Sequence, residues 1–225
     1  MPDVHIVAAG DSAVMVEFPA RIAADVHARV MALARGIRRS CGPSLRDVVI
    51  GYCTVTMFFD PLTVDAAWID AEVREVLAKW EDAGEFGGTA VEVPVCYGGD
   101  FGPDLDEVAR FGDCSAHEVI ELHCGVSYRV YMLGFVPGFP YMAHVDARIA
   151  APRRPSPRTA VAAGSVAIAG AQTGIYPSVT PGGWNIVGRT PVKPYDPARA
   201  NAFLFRPGDT VRFRPVDRAE FDRLS

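Results

Sequence analysis

Lysine is nearly missing from this chain: Lys79 and Lys193 stand against twenty arginines. Neither lysine follows a glycine, so Gly-x-x-x-x-Gly-Lys-Ser/Thr cannot be assembled and a self-contained P-loop ATPase is excluded. Arginine grips carboxylates and phosphates better than lysine does, but such a bias follows equally from genome composition. The five cysteines, Cys41, Cys53, Cys96, Cys114 and Cys124, are odd in number and form no Cys-x-x-Cys pair. Neither a disulfide framework nor a zinc knuckle is indicated, which suits a reducing compartment. His5, His27, His117, His123 and His144 never pair at ligand spacing, and Gly-x-Ser-x-Gly and His-Glu-x-x-His are absent, so no metal is expected. There is no apolar run of about 18 residues and no basic segment followed by an apolar one, so no membrane span and no signal peptide are expected and a cytoplasmic location follows. Net charge is −5 without any block of like charge, which argues against nucleic-acid and membrane partners.

What is present describes a globular protein of one or two domains: 225 residues, 49% hydrophobic and 22% charged. Segments 4–8 and 13–18 read as two strands around the turn Gly10-Asp11-Ser12. Residues 22–39 carry Ile22, Val26, Val30, Leu33 and Ile37 at helical spacing, with Gly42-Pro43 as a stop. Strands follow over 48–52 and 55–59. A helix over 66–80 then puts Trp68, Ile69, Val73, Val76, Leu77 and Trp80 on one stripe, its tryptophans expected in the core. The Gly-rich stretch from Asp82 to Gly88 is the best linker, giving a small α+β domain at 1–85 and a second domain at 86–225. In the second, 90–95 reads as a strand, and Asp104 and Ser115 open short helices with Glu107 and Glu118 placed for capping boxes. Strands over 128–133, 165–169, 185–187 and 210–213, broken by Pro and Gly turns, suggest a compact β-barrel.

Two Gly-Pro clusters some forty residues apart stand out: Gly134-Phe135-Val136-Pro137-Gly138-Phe139-Pro140-Tyr141 and Tyr176-Pro177-Ser178-Val179-Thr180-Pro181-Gly182-Gly183-Trp184. Glycine frees φ and proline fixes it, so each reads as a rigid loop carrying large rings. Such loops either wall a binding pocket or plug the core with their rings; the pair together favours a site. Between them, Pro152-Arg153-Arg154-Pro155-Ser156-Pro157-Arg158 sets three guanidiniums on a stiff segment, suited to capturing a carboxylate or phosphate, or else simply solvated. His123, at the end of the second capped helix, is either an acid or base facing a groove or a histidine favoured there by the helix dipole. Gln172, Tyr176 and Trp184 offer an amide, a phenol and a stacking face, or packing alone.

The ordered set of Cys96-Tyr97-Gly98-Gly99-Asp100-Phe101-Gly102-Pro103-Asp104-Leu105, Leu133 to Tyr141, Pro152-Arg153, Pro157-Arg158, Ala163-Gly164-Ser165-Val166, Tyr176 to Trp184, Gly188-Arg189-Thr190-Pro191 and Gly208-Asp209 closely resembles the family of the 5-oxoprolinase B subunit. That family is also called allophanate hydrolase subunit 1 and includes the sporulation-kinase inhibitor KipI. The likeness covers the second domain, and the first matches mainly through Gly10-Asp11-Ser12-Ala13. It implies a small α+β domain followed by a cyclophilin-like β-barrel, in the α+β class. It also implies one member of a bacterial complex that opens 5-oxo-L-proline to L-glutamate with ATP, working with the A and C subunits and inactive alone. ATP is needed because the lactam carbonyl is a poor electrophile until its oxygen is phosphorylated. A KipI-like inhibitor of a histidine kinase, a urea-amidolyase-type carboxyltransferase component and a free-standing ligand-binding module are the alternatives. Residue chemistry and position put the candidate site at the groove of the two loops and the arginine segment, completed by the C subunit that the resemblance implies. There His123 and Tyr128 form its polar wall and, with Arg158, its catalytic set. Arg153, Gly138, Phe139, Gln172, Tyr176, Gly182, Gly183 and Trp184 bind substrate.

Overall fold

In the computed structural model, which describes residues 3–79 and 87–225, the chain forms two compact units, the second spanning Gly88–Ser225. Residues 82–86 of the expected linker, and Trp80, lie outside the described residues.

The first unit is a four-stranded antiparallel sheet with two helices. β1 (His5–Ala8) and β2 (Ala13–Glu17) form the expected hairpin around Gly10, whose φ of +79° suits a residue without a Cβ. α1 (Ala24–Cys41) ends where Gly42–Ser44 tightens into a 3₁₀ turn carrying Pro43. β3 (Leu45–Ile50), β4 (Thr54–Phe59) and α2 (Ala66–Ala78) complete it, in the sheet order β1-β2-β4-β3. β3 begins three residues before the apolar pattern does, because Arg46 and Asp47 are exposed on an edge strand and leave no hydrophobic signal. Val26, Val30, Leu33 and Ile37 of α1 are fully buried with Val55, Met57, Ile69 and Val73. Each such side chain contributes about 1.5–3 kcal/mol by leaving water. Trp68 does not join them: it is 38% exposed, while Ile69 and Val73 are fully buried and Val76 and Leu77 pack half-buried against the same core.

The second unit is a closed seven-stranded barrel, so the α+β class with a C-terminal barrel holds. Its strands are β5 (Ala90–Tyr97), β6 (Ser127–Leu133), β7 (Pro140–Ala143), β9 (Ser165–Ala169), β10 (Gln172–Ile175), β12 (Asn185–Arg189) and β13 (Thr210–Pro215), in the order β10-β7-β6-β13-β5-β12-β9. β8 (Arg158–Val161) and β11 (Thr180–Gly182) form a separate two-stranded ribbon. Helices α3 (Leu105–Phe111) and α4 (Ala116–Cys124) follow β5, and α5 (Arg218–Leu224) follows β13. The capping box on α4 forms, with Ser115 and Glu118 exchanging hydrogen bonds. The one expected on α3 does not, because the Asp104 carboxylate is engaged elsewhere.

β9 is buried at all five positions and so lacks two-faced alternation. Val166 and Ile168 pack in the barrel core, whereas Ala167 and Ala169 lie beneath an outer cluster of Phe139, Val161, Tyr176, Trp184 and Ile186. Alanines on that outer face let aromatic rings approach the sheet, and this covered wall supports the candidate site.

Candidate functional site

The first Gly-Pro loop closes on itself between β6 and β7. Gly134 N–H donates to Phe139 O at 3.2 Å, Phe139 N–H to Val136 O at 3.1 Å, and Val136 N–H to Gly134 O at 2.7 Å. The last bond spans a three-residue turn centred on Phe135, which sits at φ +64°, a region costly for a residue with a Cβ. The turn sends the Phe135 ring outward, 60% exposed, while Phe139 is buried. Gly138, at φ +84°, passes so close to Tyr195 that a Cβ would lie 2.6 Å from the Tyr195 Cβ. It shapes the loop without lining the cavity.

The second loop brings Tyr176 and Trp184 against Phe139. Ring centroids are 5.1 Å apart for Phe139 and Tyr176, 5.3 Å for Phe139 and Trp184, and 5.7 Å for Tyr141 and Trp184, all edge-to-face. Gly182 faces the Tyr176 phenol, whose oxygen would stand 2.3 Å from a Cβ there. A cavity of about 310 Å³ opens over these rings, lined also by Phe135, Pro157, Thr180, Pro181 and Gly183. Among the described residues Arg153 is its only cation, with the guanidinium carbon 5.9 Å from the Trp184 ring centroid. Burial pushes the phenols of Tyr176 and Tyr141 above their ordinary value, and the Arg153 charge works in the opposite direction at both. The walls are therefore neutral and aromatic.

Behind the pocket, Asp104 binds the arginine segment to the barrel. Its side chain is nearly fully buried; Oδ1 accepts from Arg154 Nη1 at 2.8 Å and Arg158 Nη2 at 2.7 Å, and Oδ2 from Ile186 N–H at 2.7 Å. Arg154 also reaches Glu107 Oε2 at 3.0 Å, and its backbone N–H donates to Gly183 O at 2.8 Å. Asn185 Nδ2 holds Pro152 O at 2.8 Å. Arg158, expected to act on substrate, is instead spent on Asp104 and does not line the cavity. Sequence reasoning missed Asp104 because its partners lie about fifty residues away and its position beside a helix suggested a cap.

His123 and Tyr128 are not a polar wall. Both are fully buried in the barrel interior, with the His123 ring stacked on Phe213 at 4.5 Å. Thr173 Oγ1 donates to Ala167 O at 3.0 Å, so it accepts from His123 Nε2–H at 2.9 Å. Nδ1 then accepts from the Tyr97 hydroxyl at 2.7 Å, whose oxygen accepts from Cys124 Sγ at 3.4 Å. Burial pushes His123 down to about 3, so the imidazole is neutral and gains nothing from the helix dipole. The Tyr128 hydroxyl is buried without a hydrogen-bond partner, and burial raises its pKa. Gln172 starts β10, opposite Ala143 and Ala169, and does not line the cavity. The structure thus gathers Arg153, Phe139, Tyr176, Gly182, Gly183 and Trp184, and leaves His123, Tyr128, Arg158, Gln172 and Gly138 outside. Among the described residues no group of three His, Cys, Asp or Glu side chains could hold a metal, and no helix is long and apolar enough to cross a membrane.

Comparison with known proteins matches residues 4–205 to the family described as carboxyltransferase domain, subdomain C and D. The chain is 40% identical over 222 residues to the 5-oxoprolinase B subunit of Bacillus subtilis strain 168, covering 94% of this chain and 92% of that protein. The crystal structure of TTHA0988 superposes with a TM-score of 0.80 at 38% identity over 91% of this chain, which spans 40% of the TTHA0988 chain. The urea amidolyase of K. lactis superposes with a TM-score of 0.81 over 98% of this chain and 15% of that one, at 20% identity, a likeness of fold.

Proposed function

Because this chain belongs to the family of the 5-oxoprolinase B subunit, we propose that it is one member of an ATP-dependent 5-oxoprolinase complex, opening 5-oxo-L-proline to L-glutamate together with the A and C subunits. The observation that carries this reading is the aromatic cavity with Arg153 as its single cation. At about 310 Å³ it lies at the small end of ligand sites. A five-membered lactam stacks on Trp184 and Phe139, and its carboxylate meets the Arg153 guanidinium. Phe135 and Val179, 60% and 69% exposed beside the cavity, are the apolar surface that a partner protein of the complex covers. ATP does not fit here: one guanidinium and no lysine give a triphosphate too little opposing charge, so this chain binds and orients the substrate while ATP is consumed on a partner.

The test is ATP-dependent release of glutamate from 5-oxo-L-proline. Activity is expected only when this chain is combined with its cognate A and C subunits. In that mixture Arg153→Gln lowers kcat/KM by about 10- to 100-fold, the value of one charge-assisted hydrogen bond. A verified complex that releases no glutamate overturns the assignment and brings carboxyl transfer forward.

A further inference from the structure

The segment carrying Arg153 holds three guanidiniums within six residues, and only one faces the cavity. The other two are turned onto one buried carboxylate: Arg154 and Arg158 share Asp104 Oδ1 at 2.8 and 2.7 Å, and Glu107 adds a second negative charge at 3.0 Å from Arg154. Two cations and two anions make this cluster neutral. Arg153 has no carboxylate partner among the described residues. Arg154 and Arg158 nevertheless stand just behind the cavity wall: Arg158 pairs with Gly182 across the β8–β11 ribbon and Arg154 N–H donates to Gly183 O at 2.8 Å, both glycines lining the cavity, while Arg154 Nε and Arg158 Nη1 remain without partners. The positive charge that Asp104 cancels is therefore charge the cavity would otherwise feel.

We propose that Asp104 is a positioning residue that sets the charge of this pocket: by holding Arg154 and Arg158 it leaves Arg153 as the one guanidinium offered to a ligand, and so makes the site select monoanions over dianions. The proposal rests on the reading of the aromatic cavity as the substrate site. A ring carboxylate with a neutral lactam end matches one cation and aromatic walls. An open-chain dicarboxylate would bring a second charge to a wall of Phe139, Tyr176 and Trp184, with nothing there to pair it.

Calorimetric titration of the full chain with 5-oxo-L-proline, a monoanion, and glutarate, a dianion, tests this, with Arg153→Gln locating the binding. Wild type prefers 5-oxo-L-proline. Asp104→Asn keeps the side-chain shape but uncovers one positive charge, and shifts the affinity ratio toward glutarate by about tenfold. Arg158→Gln removes a positive charge and shifts the ratio toward 5-oxo-L-proline. A merely structural clamp would weaken both ligands in both variants and leave the ratio alone, so an unmoved ratio, or one moving the same way in both, overturns the proposal. Should Asp104→Asn fail to fold, the direction of the Arg158→Gln shift decides. Wild type binding neither probe, or binding unaffected by Arg153→Gln, would instead overturn the substrate-site reading itself.

Discussion

Tyr128 shows how far a residue's chemistry depends on where the fold puts it. A tyrosine on a strand beside a candidate histidine suggests a proton donor, yet its hydroxyl is sealed in the barrel without a partner. A buried polar group left unpaired costs about 1–3 kcal/mol. Tyr128→Phe is therefore expected to leave stability unchanged or raise it by about 1 kcal/mol, read from urea unfolding, with activity of the assembled complex intact. A loss of turnover in a stable Tyr128→Phe protein would return the phenol to the mechanism. Residues whose role is set by neighbours in sequence were legible: Ser115 and Glu118 cap α4 as their spacing requires. Asp104 was not, because both guanidiniums that define it arrive through the tertiary fold. His123 was visible as a position, but its neutral state comes from burial inside the closed barrel, where Tyr97 and Thr173 of two separate strands bind its ring nitrogens.

At the level of elements, the loops were the most readable feature, since Gly and Pro announce their own backbone needs. Gly182 is the sharpest case, because the space for its Cβ is filled by the Tyr176 phenol. Gly182→Ala pushes that ring toward the cavity, with an expected loss of about 1–3 kcal/mol in unfolding free energy and of ligand binding together. Stability and binding both at wild-type values would show that the loop yields freely. Strands were legible where an apolar run lies between Gly and Pro turns, even without alternation, as over 165–169, where the expected strand and β9 coincide. β7, β8, β10 and β11 escaped notice because they are three or four residues long, too short for a period, and several carry proline or glycine. α1 and α2 were placed within two residues at each end by hydrophobic spacing, with Gly42-Pro43 marking the stop of α1.

For the molecule as a whole, the barrel gives stability a pH dependence. His123 is held at about 3 against an ordinary value of 6.5, so the unfolded chain takes up a proton there between those limits and the folded chain does not. Stability from this group is complete above its ordinary pKa and falls as the pH drops toward 3, by about 1.4 kcal/mol per pH unit. Wild type is expected to lose about 2 kcal/mol more than His123→Gln between about pH 6.5 and 5, measured by urea midpoints. Parallel curves would mean that the imidazole is hydrated. The closure of the barrel has a consequence for how the protein is made. β5 is hydrogen-bonded in parallel to β13, from Thr210 opposite Ala90 to Pro215 opposite Val95, some 120 residues further along. During synthesis the first unit has all its strands and helices before β13 exists, whereas the second stays an open sheet with an unpaired edge until β13 emerges. The interval between those two moments is when the nascent chain is most exposed to aggregation and most dependent on chaperones.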